Sequence, residues 1–278
     1  MKNLLIVFLC LLLMAANAEA KGTFEKLNCN DFIVHIYNSN DVMANTSLIV
    51  EGKEGLVLME LPLFKENAVE FNAYVKNLHK KVNVVFTDYH EGYMPDTLSV
   101  MPKGMASFLK GNVYSSMMAH FKKTFGNTIV DITPTPTMEL PFGEPIRLAG
   151  VSFTLKSGPT SDFPAASIII GNQGVYYTHW AFTKAHMSHH QLDSTAAIDA
   201  EIDATNAAIK AKCKYYIGGH GGLAKNGDLQ FRLNYLSTVK KLRIECATAA
   251  DFSAALLKKY PDLPGGNGVK ELAAVLYK

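Results

Sequence analysis

The sequence has no Cys-x-x-Cys pair, no Gly-x-Ser-x-Gly elbow and no Gly-x-x-x-x-Gly-Lys-Ser/Thr loop. Each absence removes a class of chemistry. Without thiols at that spacing a thiolate-held zinc has no framework. Without the elbow there is no α/β-hydrolase serine nucleophile, and "GGHGG" lacks the Lys-Ser/Thr pair of a phosphate-cradling loop. Charge of one sign is also missing: Lys and Arg number 27, Asp and Glu 25, the net charge is +2, and no basic stripe argues for nucleic acid. Cysteine is scarce. Outside the leading segment only Cys29, Cys213 and Cys246 remain, an odd and widely spread set that is no disulfide framework. Buried thiols are expected, with a Cys213–Cys246 bridge as the alternative in an oxidising compartment.

What is present is ordinary globular material: 278 residues, 48% hydrophobic and 19% charged, with enough apolar mass for one sizeable core. The first twenty residues, "MKNLLIVFLCLLLMAANAEA", differ from the rest. Lys2 precedes an apolar run from Leu4 to Ala16, and Ala18 and Ala20 have the spacing of an A-x-A cleavage site. Residues 1–20 therefore read as a cleavable secretory signal and 21–278 as one domain, exported to a periplasmic or extracellular space. The leading run is too short for a comfortable membrane span, and no later segment is long and apolar enough, so an integral membrane protein is not expected.

Along the mature chain "FIVHIYN", "SLIVEG" and "GLVLMEL" read as an antiparallel meander. In "FKENAVEFNAYVKNLHKK" Phe64, Ala68, Phe71, Val75 and Leu78 make one helical stripe. "KVNVVFT" follows as a buried strand. A helix is predicted in "MPKGMASFLKG", a strand in "NVYSS", and an extended connection in the proline-rich "ITPTPTMELPFGEP". Four strands are predicted in "IRLAG", "VSFTLKS", "ASIIIG" and "GVYYTHW", the last two joined at "GNQG". A helix with Ile198, Ile202 and Ile209 on one face precedes a last buried strand in "CKYYIGGHGG", and C-terminal helices follow. Two packed sheets flanked by helices result.

Chemistry-bearing residues fall where strands end. "VVFTDYHEGYMPD" runs from a buried strand into Asp88, His90 and Glu91, at the carboxyl end where α/β sheets usually place ligands. This motif resembles the Thr-His-x-His-x-Asp-His zinc motif of the metallo-β-lactamase superfamily. The resemblance extends through "NTSLIVEGKEGLVLMELPL", "SGPTSDFPAASIIIGNQGVYYTHWAF" and "YYIGGHGG", covering nearly all the mature chain. It implies an α/β fold, the αββα four-layer sandwich. The departures are as informative as the matches. Asp88 stands for the first histidine, His90 matches the second, Gly92 and Tyr93 replace an Asp-His pair, and Ser161 stands for the middle histidine. His179 stands for the bridging aspartate, His220 matches the last histidine, and Glu60 takes the place of an aspartate ending the opening strand pair.

Loss of ligand chemistry at Gly92 and Tyr93 argues against two metals. The resemblance implies one divalent metal, zinc first and iron or manganese as alternatives, held by Asp88, His90, His179 and His220. Asp88, His90 and Glu91 are the catalytic candidates, and Glu60, Tyr93, Ser161 and His186 are expected to line the pocket. The function implied is a metal-dependent hydrolase acting on a small molecule. The alternative is a catalytically silent pseudoenzyme that binds a small molecule or a cell-envelope partner. "KAHMSHHQLD", with His186, His189 and His190, could be a separate metal tract or a surface loop. Intact-mass measurement of the exported protein is expected to give a chain beginning at Lys21; a mass that retains residues 1–20 would refute the cleavable signal.

Overall fold

The structure is a computed structural model that describes residues 21–88, 94, 97–131, 137–158 and 166–278. Its first half opens with four strands, β1 (Thr23–Asn28), β2 (Ile33–Asn38), β3 (Thr46–Gly52) and β4 (Gly55–Met59), each antiparallel to the last. Helix α1 (Lys65–Asn77) then carries the chain over to β5 (Val82–Phe86), which lies parallel to β4. Such a crossover is what parallel pairing requires. β6 (Leu98–Pro102), α2 (Met105–Leu109), α3 (Asn112–Phe125) and β7 (Thr137–Leu140) complete a seven-stranded sheet in simple chain order.

The second half repeats the plan. β8 (Pro145–Leu148), β9 (Val151–Ser157), β10 (Ala166–Ile170) and β11 (Val175–Trp180) form an antiparallel run. α4 (Thr195–Ala211) crosses to β12 (Tyr215–His220), parallel to β11, and β13 (Gly222–Leu223) closes a six-stranded sheet. α5 (Asp228–Glu245), α6 (Ala249–Lys259) and α7 (Val269–Leu276) end the chain. Among the described residues no helix is long and apolar enough to cross a membrane.

Alternation along the strands explains the layering. Val34, Ile36, Leu48, Val50, Val57 and Met59 of the first sheet meet Phe153, Leu155, Ile168, Ile170, Tyr177 and Ile217 of the second in one core. The intervening residues Tyr37, Ile49, Leu56 and Leu58 face the other way, onto Phe71 and Val75 of α1. Central strands are thus buried on both faces, which is why they read as continuous apolar runs. On the far side of the second sheet Tyr176 and Cys213 pack with Ala208 of α4, and α5 to α7 share a core of their own around Tyr235, Phe252 and Leu272. The order helix, sheet, sheet, helix is the expected αββα sandwich.

Three expectations need correction. "NVYSS" is the start of α3, not a strand. Tyr114 is buried there, and Lys122 and Lys123 in the last turn suit the negative helix end. The buried stripe of α4 is Ala197, Ile198, Glu201, Thr205 and Ala208, while Ile209 is 37% exposed. The proline-rich connection contains a strand, β7, and its last residue, Pro145, opens β8; residues 132–136 lie outside the described residues. As for the thiols, Cys29, Cys213 and Cys246 are all free. The Cys213–Cys246 bridge does not form, because Cys213 sits under α4 and Cys246 packs against the separate core of α5 to α7.

The carboxylate on α4's buried face has a partner. Arg232 of α5 places Nη2 2.7 Å from Glu201 Oε2, with the two side chains 6% and 4% exposed. Its Nη1 donates to the Ala181 carbonyl at 2.9 Å, and its guanidinium lies 5.2 Å from the Phe182 ring centre. One ion pair therefore fastens α5 both to α4 and to the chain leaving β11. Removing one member strands the other charge in the interior, which costs far more than the pair contributes net. Glu201→Ala is expected to cost about 3–5 kcal/mol in urea unfolding. Combining Glu201→Leu with Arg232→Met should recover most of that loss; an unchanged midpoint for Glu201→Ala would show the pair to be inert. Denatured without reductant, the mature protein is expected to show three alkylatable thiols, and two fewer would mean a bridge.

Candidate functional site

The carboxyl ends of β5, β11 and β12 carry the candidate residues, and local packing fixes each end. β11 and β12 run parallel with Thr178 opposite Gly218 and Trp180 opposite His220. Glycine is required in this strand by close approach. A Cβ on Gly218 would lie 2.1 Å from the backbone nitrogen of Ala181, and one on Gly219 would lie 2.5 Å from Tyr177 Oη. The bare backbone at Gly218 lets the chain leaving β11 fold across β12, where Ala181 N donates to the His220 carbonyl at 2.9 Å. The end of β12 is also tied to the other sheet: His220 bridges to Asn45, and Gly221 N donates to the Ala44 carbonyl at 3.1 Å.

His179 and His220 meet at this edge, with ring centres 4.8 Å apart and planes at 89°. Trp180 stacks on His220 at 4.7 Å and 27°, and its ring centre lies 5.0 Å from that of His179, so the three rings form one cluster. His220 Nδ1 lies 2.8 Å from the Met43 carbonyl. A carbonyl only accepts, so Nδ1 carries the hydrogen, and in the neutral ring the lone pair sits on Nε2. Burial lowers the His220 pKa, opposed by the Met43 hydrogen bond, so the imidazole is neutral at pH 7. A neutral imidazole oriented by a backbone carbonyl is the form in which histidine binds metals.

Asp88 lies just beyond the end of β5. It is fully buried, and its Oδ1 accepts from Ala166 N at 2.7 Å. Its own N–H donates to Glu60 Oε1. Among the described residues Asp88 Oδ2 has no hydrogen-bond partner, and neither has the buried hydroxyl of Tyr177. Burial drives the Asp88 pKa well above the carboxylate range, and the negative charge of Glu60 adds to this against the Ala166 hydrogen bond. Burial also raises Tyr177, with Glu60 and Asp88 contributing. A carboxyl in such surroundings takes up a proton or gains from a nearby cation. Glu60 itself, 1% exposed, has a left-handed backbone with φ of 55°.

The remaining candidates are distributed as follows. His90, Glu91, Tyr93 and Ser161 lie outside the described residues. His186 is fully engaged: Nδ1 lies 3.0 Å from the Tyr235 hydroxyl, and Nε2 donates to the Tyr260 carbonyl at 3.2 Å. His189 and His190 lie together at the surface with ring centres 4.0 Å apart, and His189 Nδ1 is 3.8 Å from Glu271. His186 and His220 both line a pocket of about 220 Å³, with Trp180, Gln191, Phe231 and Arg232 among its other walls.

These placements test the one-metal set. Among the described residues no group of three or more His, Cys, Asp or Glu side chains could hold a metal ion. Asp88, His179 and His220 therefore do not make a metal site among the described residues. Two imidazoles do meet at one strand edge, and Asp88 has one buried carboxylate oxygen without a hydrogen-bond partner among the described residues. Tyr177, Trp180 and Arg232 escaped the sequence reading. Tyr177 had a signal, since alternation in "VYYTHW" puts it on the face of His179; Trp180, which alternation would put on the other face, has its ring centre 5.0 Å from that of His179.

Neither family sequence models nor curated proteins give a match to this chain. Solved structures do. A β-lactamase domain protein from Burkholderia ambifaria superposes with a TM-score of 0.61 at 11% identity, over 94% of this chain and 89% of that one. An archaeal metallo-β-lactamase superfamily protein from Sulfolobus tokodaii gives 0.53 at 13% identity, covering 86% of this chain and 98% of its own. The stereoselective inverting sec-alkylsulfatase Pisa1 from Pseudomonas gives 0.61 at 16% identity, over 86% of this chain and 48% of the alkylsulfatase. Four layers and two sheets, each with a parallel crossover, agree with these likenesses: the fold is that of the metallo-β-lactamase superfamily.

Proposed function

We propose that the chain is an exported hydrolase of small molecules that works at the carboxyl ends of β5, β11 and β12 with one divalent metal. The observation that carries this reading is the meeting of His179 and His220 at one strand edge, with His220 neutral and oriented by the Met43 carbonyl. His179, His220 and His90 would hold the ion, with Asp88 as the buried carboxylate that its charge would stabilise. Zinc suits imidazole and carboxylate donors best, with iron or manganese as alternatives. Such an ion supplies a polarised substrate oxygen and a water acidic enough to attack near neutral pH. The chain's own part is to bring the imidazoles together and to orient His220 in its neutral form. Two of the structurally similar proteins are named a β-lactamase domain protein and an alkylsulfatase, and their hydrolytic role comes to this chain by analogy of fold. Export rests on the leading segment.

A second reading, a catalytically silent binding protein, is favoured by the incomplete donor set among the described residues. Metal content separates the two. Elemental analysis of the mature protein, purified without chelator, is expected to give close to one equivalent of metal. His220→Ala and His90→Ala should each lose most of it, whereas His189→Ala and His190→Ala should not. Wild-type protein that arrives metal-free and takes up no added zinc, iron or manganese would make the binding protein the better reading.

A further inference from the structure

We propose that the pocket against His220 binds a small uncharged molecule built on one aromatic or branched alkyl ring, and that this is where the non-reacting part of the substrate sits. Its role as a substrate subsite rests on the hydrolase reading above; its ability to bind does not. The pocket, about 220 Å³, has a mostly apolar wall of Met43, Trp180, Met187, Phe231 and Tyr235. An apolar cavity of about 150 Å³ accommodates benzene. A single substituted ring is therefore the occupant this volume suits.

Charge decides between classes of ring. Arg232 lines the pocket, yet its positive charge is already met by Glu201 at 2.7 Å and by the Ala181 carbonyl at 2.9 Å. Its Nε has no hydrogen-bond partner among the described residues but is itself buried, so the guanidinium offers little accessible charge to an anion. His186, the other basic group deep in the wall, has both ring nitrogens committed to Tyr235 and Tyr260. Burial lowers its pKa, which keeps it neutral. No Asp or Glu lines the pocket among the described residues, so a cationic ligand finds no counter-charge either. A charged ring would shed its hydration without compensation, whereas a neutral one loses little and buries its apolar face. Gln191 and Thr183, the uncharged polar side chains of the lining, suit a hydroxyl or ester oxygen.

The chain supplies its own reporter. Trp180 is its single tryptophan, it lines the pocket, and it stacks on His220. The mature protein is titrated with benzyl alcohol, benzoate and benzylamine at constant ionic strength, with and without chelator, while Trp180 emission is followed. Benzyl alcohol is expected to give a saturable change under both conditions, with benzoate and benzylamine at least about tenfold weaker. Ala185→Phe, which fills the pocket, should abolish the response while the urea midpoint stays near wild type. Met43→Phe serves as a second occluding variant should the first fail to fold. No saturable response to benzyl alcohol, tighter binding of benzoate or benzylamine, or binding that survives in a folded occluding variant would each overturn the proposal. Because chelator removes metal and not the pocket, binding that persists in chelator tests this proposal alone; wild-type protein that takes up no added metal yet binds benzyl alcohol would sink the hydrolase reading and leave this one standing.

Discussion

The end of β4 is held by Glu60, and the geometry of the first sheet's edge depends on it. Its backbone N donates to the Phe86 carbonyl of β5 at 3.2 Å, its own carbonyl accepts from Ser47 Oγ of β3, and its carboxylate accepts from Asp88 N. One residue so bonds to the strands on both sides and to the segment beyond β5. The backbone there is left-handed, which costs a non-glycine residue about 1–2 kcal/mol. Such a conformation persists only where its surroundings over-determine it, as these bonds do. Aspartate, one methylene shorter, would not reach the same amide from the same backbone, which gives the departure at this position a physical sense.

The second sheet meets the same need by different means. Here the strand end is defined by missing atoms, the absent Cβ groups of Gly218 and Gly219, which let Ala181 and Tyr177 close in on β12. His220 then reaches past its own sheet to Met43 and Asn45. The orientation of that ring is thus set by the loop between β2 and β3. The two halves of the molecule are joined at the edge where His179, His220 and Trp180 come together, and a shift of one sheet against the other would be felt first at that ring.

How much of this was legible in the sequence follows from the range of the interactions. β3, β4, β10 and β11 read as apolar runs because both of their faces are buried. His179 and His220 could be placed at strand ends by counting along their strands. The start of α3 misled because Val113 and Tyr114 favour strands locally, and only the packing of Tyr114 shows the helix. α4 misled for a complementary reason: counting isoleucines selected the exposed Ile209 and passed over Glu201, whose partner lies 31 residues on. Nothing short of tertiary structure pairs a lone glutamate on one helix with a lone arginine on another. The same holds for Asp88, whose burial against Glu60 and Ala166 depends on residues 28 and 78 positions away.

The Glu201–Arg232 pair carries a consequence beyond fastening helices. A guanidinium next to the cleft would, if bare, draw anions into it and hold a positive field against any cation near His220. Fully compensated by Glu201, it does neither, and its stem and the Phe182 ring fill space as apolar surface would. His186 behaves likewise, a titratable group made neutral by two committed nitrogens. Charge near this edge is therefore concentrated on the first-sheet side, at Glu60 and Asp88, where burial makes a negative charge most expensive. A cation bound at the histidines would lower that expense, and an uncharged substrate beside them would leave it undisturbed. Charge and shape thus part: the buried carboxylates Glu60 and Asp88 lie on the first-sheet side, and among the described residues no carboxylate lines the pocket against His220.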